Sequence, residues 1–311
     1  MKLRLLGPLR DGKGVEKGED TTPNLKYFFK LLGRKFWKLV SVNFILLVQI
    51  LPLLLCFLVE AMGPKEPVQH NPLYATVLGA QTVAPTSAGM TLLNMVGNLS
   101  YDWQAYNSPV TIIMICLLAF HVLTYGWQKV GATYIMRNLV RGEGVFIISD
   151  FFYAIKKNFK QGFILGVIDC IICGVLYFDF TYLSQMPVDD VMANIMYFVI
   201  VALVIIYLAM RFYMYLLLVT FNIKLTKLLK NSFIFAFLGM KRNLMAGLGI
   251  LLMAGLVVVL NIFLMQFNIA VGLIIPFLFF MGVMAFMYNY AAYPVIKKYM
   301  IDPPVVKKDA Q

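Results

Sequence analysis

Six long apolar segments limit what this chain can fold into more than any other feature of its sequence. A helix needs about 20 mostly apolar residues to cross a bilayer. The 311 residues are 61% hydrophobic and only 14% charged, well below the roughly 25% charged residues of a typical soluble domain. We therefore predict an all-α membrane protein with six transmembrane helices. These spans are expected at residues 39–58, 110–127, 162–183, 192–219, 244–265 and 269–293.

The placement of the basic residues predicts the orientation of these spans. Ten Lys and Arg lie in residues 1–38, six in 128–162, six in 211–243 and four in 294–311, whereas the segments predicted on the opposite side hold only Lys65. Connections rich in Lys and Arg stay in the cytoplasm. Both termini are therefore predicted to be cytoplasmic. Topology, with some attraction to anionic headgroups, explains the net charge of +12 without a nucleic-acid partner.

The polar ends and one long insert divide the rest of the chain. Residues 1–23 are polar and rich in glycine, which predicts a disordered cytoplasmic N-terminus. The six-helix membrane domain is expected over 24–296, followed by a cytoplasmic tail over 297–311. Within the domain, 59–109 is predicted to be an external insert, either a loose loop or short helices resting on the outer face.

Three segments on the predicted cytoplasmic side have the pattern of amphipathic helices. In 24–38, apolar residues recur at helical spacing and basic residues occupy the other face. The preceding Thr22-Pro23 is typical of an N-cap followed by the first helical residue. Related patterns occur in the charged bridge 126–162 and in 222–243, so all three are expected on the inner leaflet.

A shift of 85 residues exposes a short internal similarity. It aligns Phe152–Gly162 with Phe237–Gly247, and a looser third copy lies at Arg34–Lys38. The identical pairs are Phe152 and Phe237, Lys156 and Lys241, Asn158 and Asn243, and Gly162 and Gly247. This pattern suggests a threefold repeat of an inner-leaflet helix and a helical hairpin. The alternative is that any helix entering from the cytoplasm tends to begin with such residues.

Two ionisable residues inside the spans are expected to form an ion pair. Asp169 and Arg211 lie at similar predicted depths on neighbouring antiparallel spans. Each costs about 2.5–3.5 kcal/mol to insert on translocon scales, so each needs a partner or a wet cavity. A structural pair and a role in substrate passage both remain open.

The charged bridge holds the residues that we assign to partner contact, Arg137, Arg141, Glu143 and Asp150, because topology alone does not require this cluster. The chain has two histidines and shows no Gly-rich phosphate loop, G-x-S-x-G or H-E-x-x-H pattern. We therefore predict no enzyme activity, no metal and no cofactor. The Cys170-x-x-Cys173 pair lies within a span and is assigned to packing.

Two runs in the bridge carry a resemblance to a known family. They are Tyr-x-x-Arg-Asn-Leu-Val-Arg-Gly-Glu at 134–143 and Asp-Phe-Phe-x-x-x-Lys-x-Asn-Phe-Lys-Gln at 150–161. In these runs the chain resembles the YesL family of bacterial membrane proteins, whose function is undefined. The resemblance implies a bacterial plasma-membrane protein whose gene lies beside carbohydrate ABC transporters, and it supplies no catalytic residues. The chain departs from the family in the residues 59–125 that precede the motif.

Together these observations lead to one expected function and two alternatives. We expect a non-enzymatic accessory component of a carbohydrate ABC uptake system, which lies in the lipid bilayer and binds permease subunits or a sensor kinase through its cytoplasmic helices. One alternative is a stand-alone transporter with a pathway near Asp169 and Arg211. The other is a divergent ABC permease subunit, although neither cytoplasmic segment has the Glu-Ala-Ala start of a coupling loop.

The predicted ion pair can be tested by a double-mutant cycle. Asp169→Asn combined with Arg211→Gln should lose less stability than the sum of the single variants, because each single change leaves the other charge without its partner. The measurement is the midpoint of thermal unfolding in detergent. Additive losses would show that the two residues do not interact.

Overall fold

The structure is a computed structural model that describes residues 20–62, 88–89, 109–186, 190–266 and 276–302. Over these residues the regular structure is entirely helical, without a strand. Six of the described helices are long and apolar enough to cross a membrane, which confirms an all-α fold with six candidate spans. Most of the predicted disordered N-terminus, most of the external insert and most of the tail lie outside the described residues.

Apart from the two helical residues 88–89, the described α-helices comprise six candidate spans and two shorter connecting helices. They are α1 (Leu25–Met62), α2 (Pro109–Val140), α3 (Ile147–Lys157), α4 (Phe159–Ser184), α5 (Val191–Thr220), α6 (Leu225–Leu238), α7 (Met240–Met265) and α8 (Met281–Ile296). Two π-helical turns flank α8, at Pro276–Phe280 and Lys297–Ile301. The connecting helices are α3 and α6, and each is separated from the following span by a single residue.

The first amphipathic segment and the first span form one helix. The expected surface helix at 24–38 continues without a break into the expected span at 39–58, within the 38 residues of α1. Its N-cap also differs from the prediction, because the Tyr27 backbone N–H donates to Asn24 Oδ1 at 2.8 Å. Asn24 therefore caps α1, and Thr22 lies just before it.

The first half of the predicted bridge belongs to a span and to the core. Helix α2 continues beyond the predicted end at 127 as far as Val140. Ile135, Met136 and Leu139 are fully buried at helical spacing, so this part of α2 packs as an interior helix. What remains of the bridge is a turn at 141–146 and the short amphipathic helix α3.

The two copies of the internal similarity fold differently at their junctions. Asn158 interrupts the helix between α3 and α4, whereas Gly239 does so between α6 and α7. In the aligned register Gly239 corresponds to Ala154, one helical turn before Asn158. The helix boundaries therefore do not support the repeat, which stays a hypothesis.

The chain packs as two units. The first comprises Met1–Val48, Trp127–Gly162 and Leu208–Gln311, and the second comprises Gln49–Gly126 and Phe163–Tyr207. In the first unit, aromatic rings of α1 and α8 form much of the core. The ring of Phe28 stacks on Phe286 at a centroid distance of 5.6 Å and meets Tyr290 edge-on at 5.2 Å.

A buried asparagine joins α1 to the start of α8. Asn43 is fully buried, and its Oδ1 accepts a hydrogen bond from the Gly282 backbone N–H at 2.9 Å. A β-carbon at Gly282 would collide with the Leu39 carbonyl oxygen, so the two helices approach as closely as they do because residue 282 is glycine. The π-helical turn Pro276–Phe280 immediately precedes this contact, and such turns locally alter the backbone hydrogen-bond ladder.

The second unit is held by contacts between backbone and side chains. His121 of α2 makes a hydrogen bond to α1, since its Nδ1 lies 2.8 Å from the Gln49 carbonyl oxygen. Because a carbonyl oxygen only accepts, Nδ1 carries the proton. Gly126 of α2 and Gly166 of α4 bring the two helix backbones into direct contact, as small residues commonly do in membranes.

The contact of Gly126 with Gly166 predicts that one methyl group added at residue 166 destabilises the protein. Gly166→Ala should destabilise the protein by about 1–3 kcal/mol, since the new β-carbon collides with the Gly126 backbone. Gly174→Ala on the same helix is the matched control, because a β-carbon there meets no atom within 4 Å. Thermal unfolding in detergent measures both variants, and equal midpoints would contradict the close packing of Gly126 against Gly166.

Candidate functional site

The turn between α2 and α3 is the best-defined polar site on the first unit. Helix α2 ends in a Schellman motif, in which the Gly142 N–H donates to the Leu139 carbonyl and the Glu143 N–H to the Asn138 carbonyl, each at 3.0 Å. The motif needs a left-handed residue, and Gly142 supplies it with φ of 76°. The turn therefore holds Arg141 and Glu143 in defined positions.

Asp150 closes the other side of the turn. Its Oδ2 accepts a hydrogen bond from the Phe146 backbone N–H at 2.9 Å, in the first turn of α3. A carboxylate at this place is also favoured by the positive end of the helix dipole. Asp150 was predicted to contact a partner, and the structure shows that it stabilises the start of α3.

Arg137 lies inside the first unit, where 8% of its surface is exposed. Its Nη1 donates to the Val219 carbonyl oxygen at 2.6 Å, and Nε and Nη2 donate to Asn138 Oδ1 at 3.1 and 2.9 Å. Its guanidinium carbon lies 4.6 Å from the centre of the Tyr134 ring. The Arg137 guanidinium therefore has three partners, which are a backbone carbonyl, a side-chain amide and the face of an aromatic ring.

The Val219 contact shows what Arg137 does for the fold. Val219 lies in the last turn of α5, where carbonyl groups lack partners within the helix and carry the negative end of the dipole. The guanidinium binds one of these carbonyls from α2 and so joins the ends of two helices. Gln161 makes a second link to the same region, since its Nε2 donates to the Ile223 carbonyl at 3.3 Å.

Arg141 and Glu143 are the exposed members of the predicted cluster. Arg141 Nη2 lies 2.7 Å from Glu143 Oε1, and the two side chains are 41% and 42% exposed. Large apolar side chains on the adjoining residues are exposed as well, namely Phe146, Ile148 and Phe152. We call these five residues the turn face.

The predicted intramembrane pair falls in different units. Asp169 lies in the second unit, is fully buried, and accepts hydrogen bonds from Tyr207 Oη at 2.7 Å and from Cys173 Sγ at 3.7 Å. Arg211 lies in the first unit. The ion pair between them stays a prediction, but Tyr207 and Cys173 are partners of Asp169 that the sequence did not identify.

A second polar group that sequence reasoning missed lies at the corner between α6 and α7. Tyr213 Oη donates to Asn243 Oδ1 at 2.8 Å, and Asn243 Nδ2 donates to the Ala236 carbonyl at 2.9 Å. A β-carbon at Gly239 would collide with the Tyr213 hydroxyl, so glycine at this corner leaves room for the Tyr213–Asn243 hydrogen bond. The spacing of Asn243 had suggested a repeat, whereas its hydrogen bonds show a local structural role.

Comparison with known proteins is consistent with the resemblance carried by the bridge. A family model described as a protein of unknown function, DUF624, matches residues 105–180. The match includes α2, the turn face and α3, and is consistent with a YesL-like family. Comparison with curated proteins and with solved structures gives no match.

The buried guanidinium predicts that a conservative substitution is costly. Arg137→Lys should lower the free energy of unfolding by about 2 kcal/mol, because one ammonium group cannot replace the bonds to both Val219 and Asn138. The exposed Arg141→Lys should change it by less than about 0.5 kcal/mol. Unfolding midpoints in detergent compare the two, and equal losses would show that Arg137 has no special structural role.

Proposed function

We propose that this protein is a non-enzymatic accessory component of a carbohydrate ABC uptake system in the bacterial plasma membrane. In this proposal both termini are cytoplasmic, and the turn face binds a permease subunit or a sensor kinase of the system. The resemblance of residues 134–161 to the YesL family supports the association with carbohydrate transport. The family model over residues 105–180 is consistent with that resemblance.

The observation that best supports the proposal is that the turn has a well-held backbone while the side chains of the turn face are exposed. The Schellman motif and the hydrogen bond from the Phe146 N–H to Asp150 hold the turn, while Arg141 and Glu143 offer both signs of charge beside exposed Phe146 and Phe152. Protein interfaces combine a buried apolar centre with a polar rim. A surface that needs little reordering also loses less entropy on binding.

The basic residues of α3 support a cytoplasmic position for this face. Lys156 and Lys157 occupy the last turn of α3, close to the start of the span α4. Lys and Arg within about 15–20 residues of a span favour the cytoplasmic side. In the proposal, the turn face therefore meets the same compartment as the nucleotide-binding side of an ABC transporter.

The chemistry of the cluster favours binding over catalysis. Arg137 and Asp150, the two charged groups that a reaction could use, hold the ends of α5 and α3. Arg141 and Glu143 pair with each other at the surface. In the proposal all four residues build or form a contact surface.

A charge exchange at the turn face tests the proposal. Arg141→Glu combined with Glu143→Arg keeps an ion pair but inverts its direction, so it should reduce co-purification of the partner about tenfold while the fold persists. Quantitative mass spectrometry after affinity purification of the full chain in mild detergent from its own cells measures the bound transporter and sensor subunits.

The exposed pair Lys297 and Asp302, whose charged atoms lie 3.8 Å apart, provides the matched control. Exchanging these two charges in the same way should leave the partner yield unchanged. Recovery of no permease or sensor kinase with the unaltered chain would contradict the proposal. An equal yield from the chain with exchanged charges at Arg141 and Glu143 would place the contact elsewhere.

A stand-alone transporter is the second candidate, because Asp169 is a fully buried carboxyl group hydrogen-bonded to Tyr207. Buried ionisable groups in spans often mark proton or ion pathways. In proteoliposomes loaded with a pH-sensitive dye, a coupled transporter would move protons in response to a sugar gradient, and Asp169→Asn would abolish the flux. Absence of flux with the unaltered protein would reject this candidate.

A further inference from the structure

The first unit contains a cavity of about 360 Å³ between the start of α1, the first turns of α7 and the second half of α8. Its walls are mainly apolar and include Phe28, Met245, Met287 and Tyr290. Cavities that bind small organic molecules usually have about this volume and character. None of the residues singled out from the sequence as site residues lines it.

The apolar wall is preformed. Tyr290 Oη donates to the Asn24 carbonyl at 2.8 Å, which joins α8 to the cap of α1. The Phe28 ring packs against both Tyr290 and Phe286, at centroid distances of 5.2 and 5.6 Å. The wall therefore needs no rearrangement before an apolar chain can contact it.

Two cations line the same cavity. Lys241 and Arg242 belong to the first turn of α7, which contains no acidic residue. Arg242 Nη2 donates to the Pro23 carbonyl at 3.2 Å, so its guanidinium is positioned at the start of α1. Two positive charges at the positive end of a helix dipole are unfavourable unless an anion compensates them.

The surroundings of the cavity favour an occupant from the bilayer. Leu25 and Phe29, which also line it, are 60% and 64% exposed, and Met245 is 46% exposed. On a membrane protein, such exposed apolar side chains at the border of a basic pocket are suited to lipid chains. A free phosphate or a soluble sugar phosphate would leave the apolar wall without a partner.

We propose that this cavity binds one anionic phospholipid, with the phosphate at Lys241 and Arg242 and part of an acyl chain against Phe28, Met287 and Tyr290. Basic pockets between transmembrane helices commonly bind anionic headgroups. The bound lipid stabilises the junction of α1, α7 and α8. This site is independent of the turn face and of the proposed transporter partner.

Two variants separate headgroup binding from chain binding. Lys241→Gln with Arg242→Gln removes the charges, and Gly249→Leu fills cavity volume. A β-carbon at Gly249 meets only Met287, at 3.8 and 3.9 Å, so the backbone there accepts a side chain.

Each variant has a matched control. The charge control is Lys156→Gln with Lys157→Gln, an exposed basic pair on α3 that does not line the cavity. The volume control is Gly247→Leu on α7, where a β-carbon meets nothing within 4 Å.

Native mass spectrometry of the full chain, purified in mild detergent, measures the retained phospholipid. The unaltered protein and both controls should retain one anionic phospholipid, and both cavity variants should retain about tenfold less. Equal retention in all five proteins would overturn the proposal. If the Lys241 and Arg242 variant does not fold, the comparison of phospholipid retention between Gly249→Leu and Gly247→Leu tests the proposal by itself.

Thermal unfolding with added ligands distinguishes a lipid from a soluble anion. Phosphatidylglycerol should raise the unfolding midpoint of the delipidated protein by several degrees, and phosphatidylcholine and glycerol 3-phosphate should not, since a ligand stabilises the state that it binds. The shift should be lost in the Lys241 and Arg242 variant. Equal shifts with phosphatidylcholine, or a full shift with glycerol 3-phosphate alone, would overturn the assignment to an anionic phospholipid.

Discussion

The hydrogen bond from the Arg137 guanidinium to the Val219 carbonyl is the interaction on which the first unit depends most. It satisfies a carbonyl in the last turn of α5 from the interior of α2, and the same side chain binds Asn138 and the face of Tyr134. Desolvating a guanidinium is costly unless its donors find partners. The burial of this charge therefore sets the register between α2 and α5.

The exposed turn face follows from the same end of α2. Helix α2 ends directly after its buried stretch, because Gly142 adopts a positive φ and the Gly142 and Glu143 N–H groups bind the carbonyls of Leu139 and Asn138. The Asp150 carboxylate then accepts a hydrogen bond from the Phe146 N–H at the start of α3. Arg141 and Glu143 are left at the surface by these structural requirements, which is why a partner contact is proposed for them rather than for the whole charged cluster.

Polar side chains and glycines elsewhere have similarly local roles. Asn43 binds the Gly282 N–H beside a π-helical turn, and Asn243 joins Tyr213 to the end of α6. Burying an unpaired polar group in apolar surroundings costs several kcal/mol of stability, about as much as truncating a large side chain in the core. Such groups therefore specify helix contacts that apolar packing alone leaves open, and the cavity beside Lys241 and Arg242 lies between helices placed in this way.

The sequence by itself determined that the chain is helical and has six candidate spans, because long apolar runs can satisfy their backbone in lipid only as helices or closed barrels. It also identified Arg137, Arg141, Glu143 and Asp150 as a cluster. Only the tertiary structure decided that Arg137 is interior and that Arg141 and Glu143 are exposed. Hydropathy and spacing report which residues tolerate lipid, whereas burial and cavities depend on which helices meet, and that information is not local.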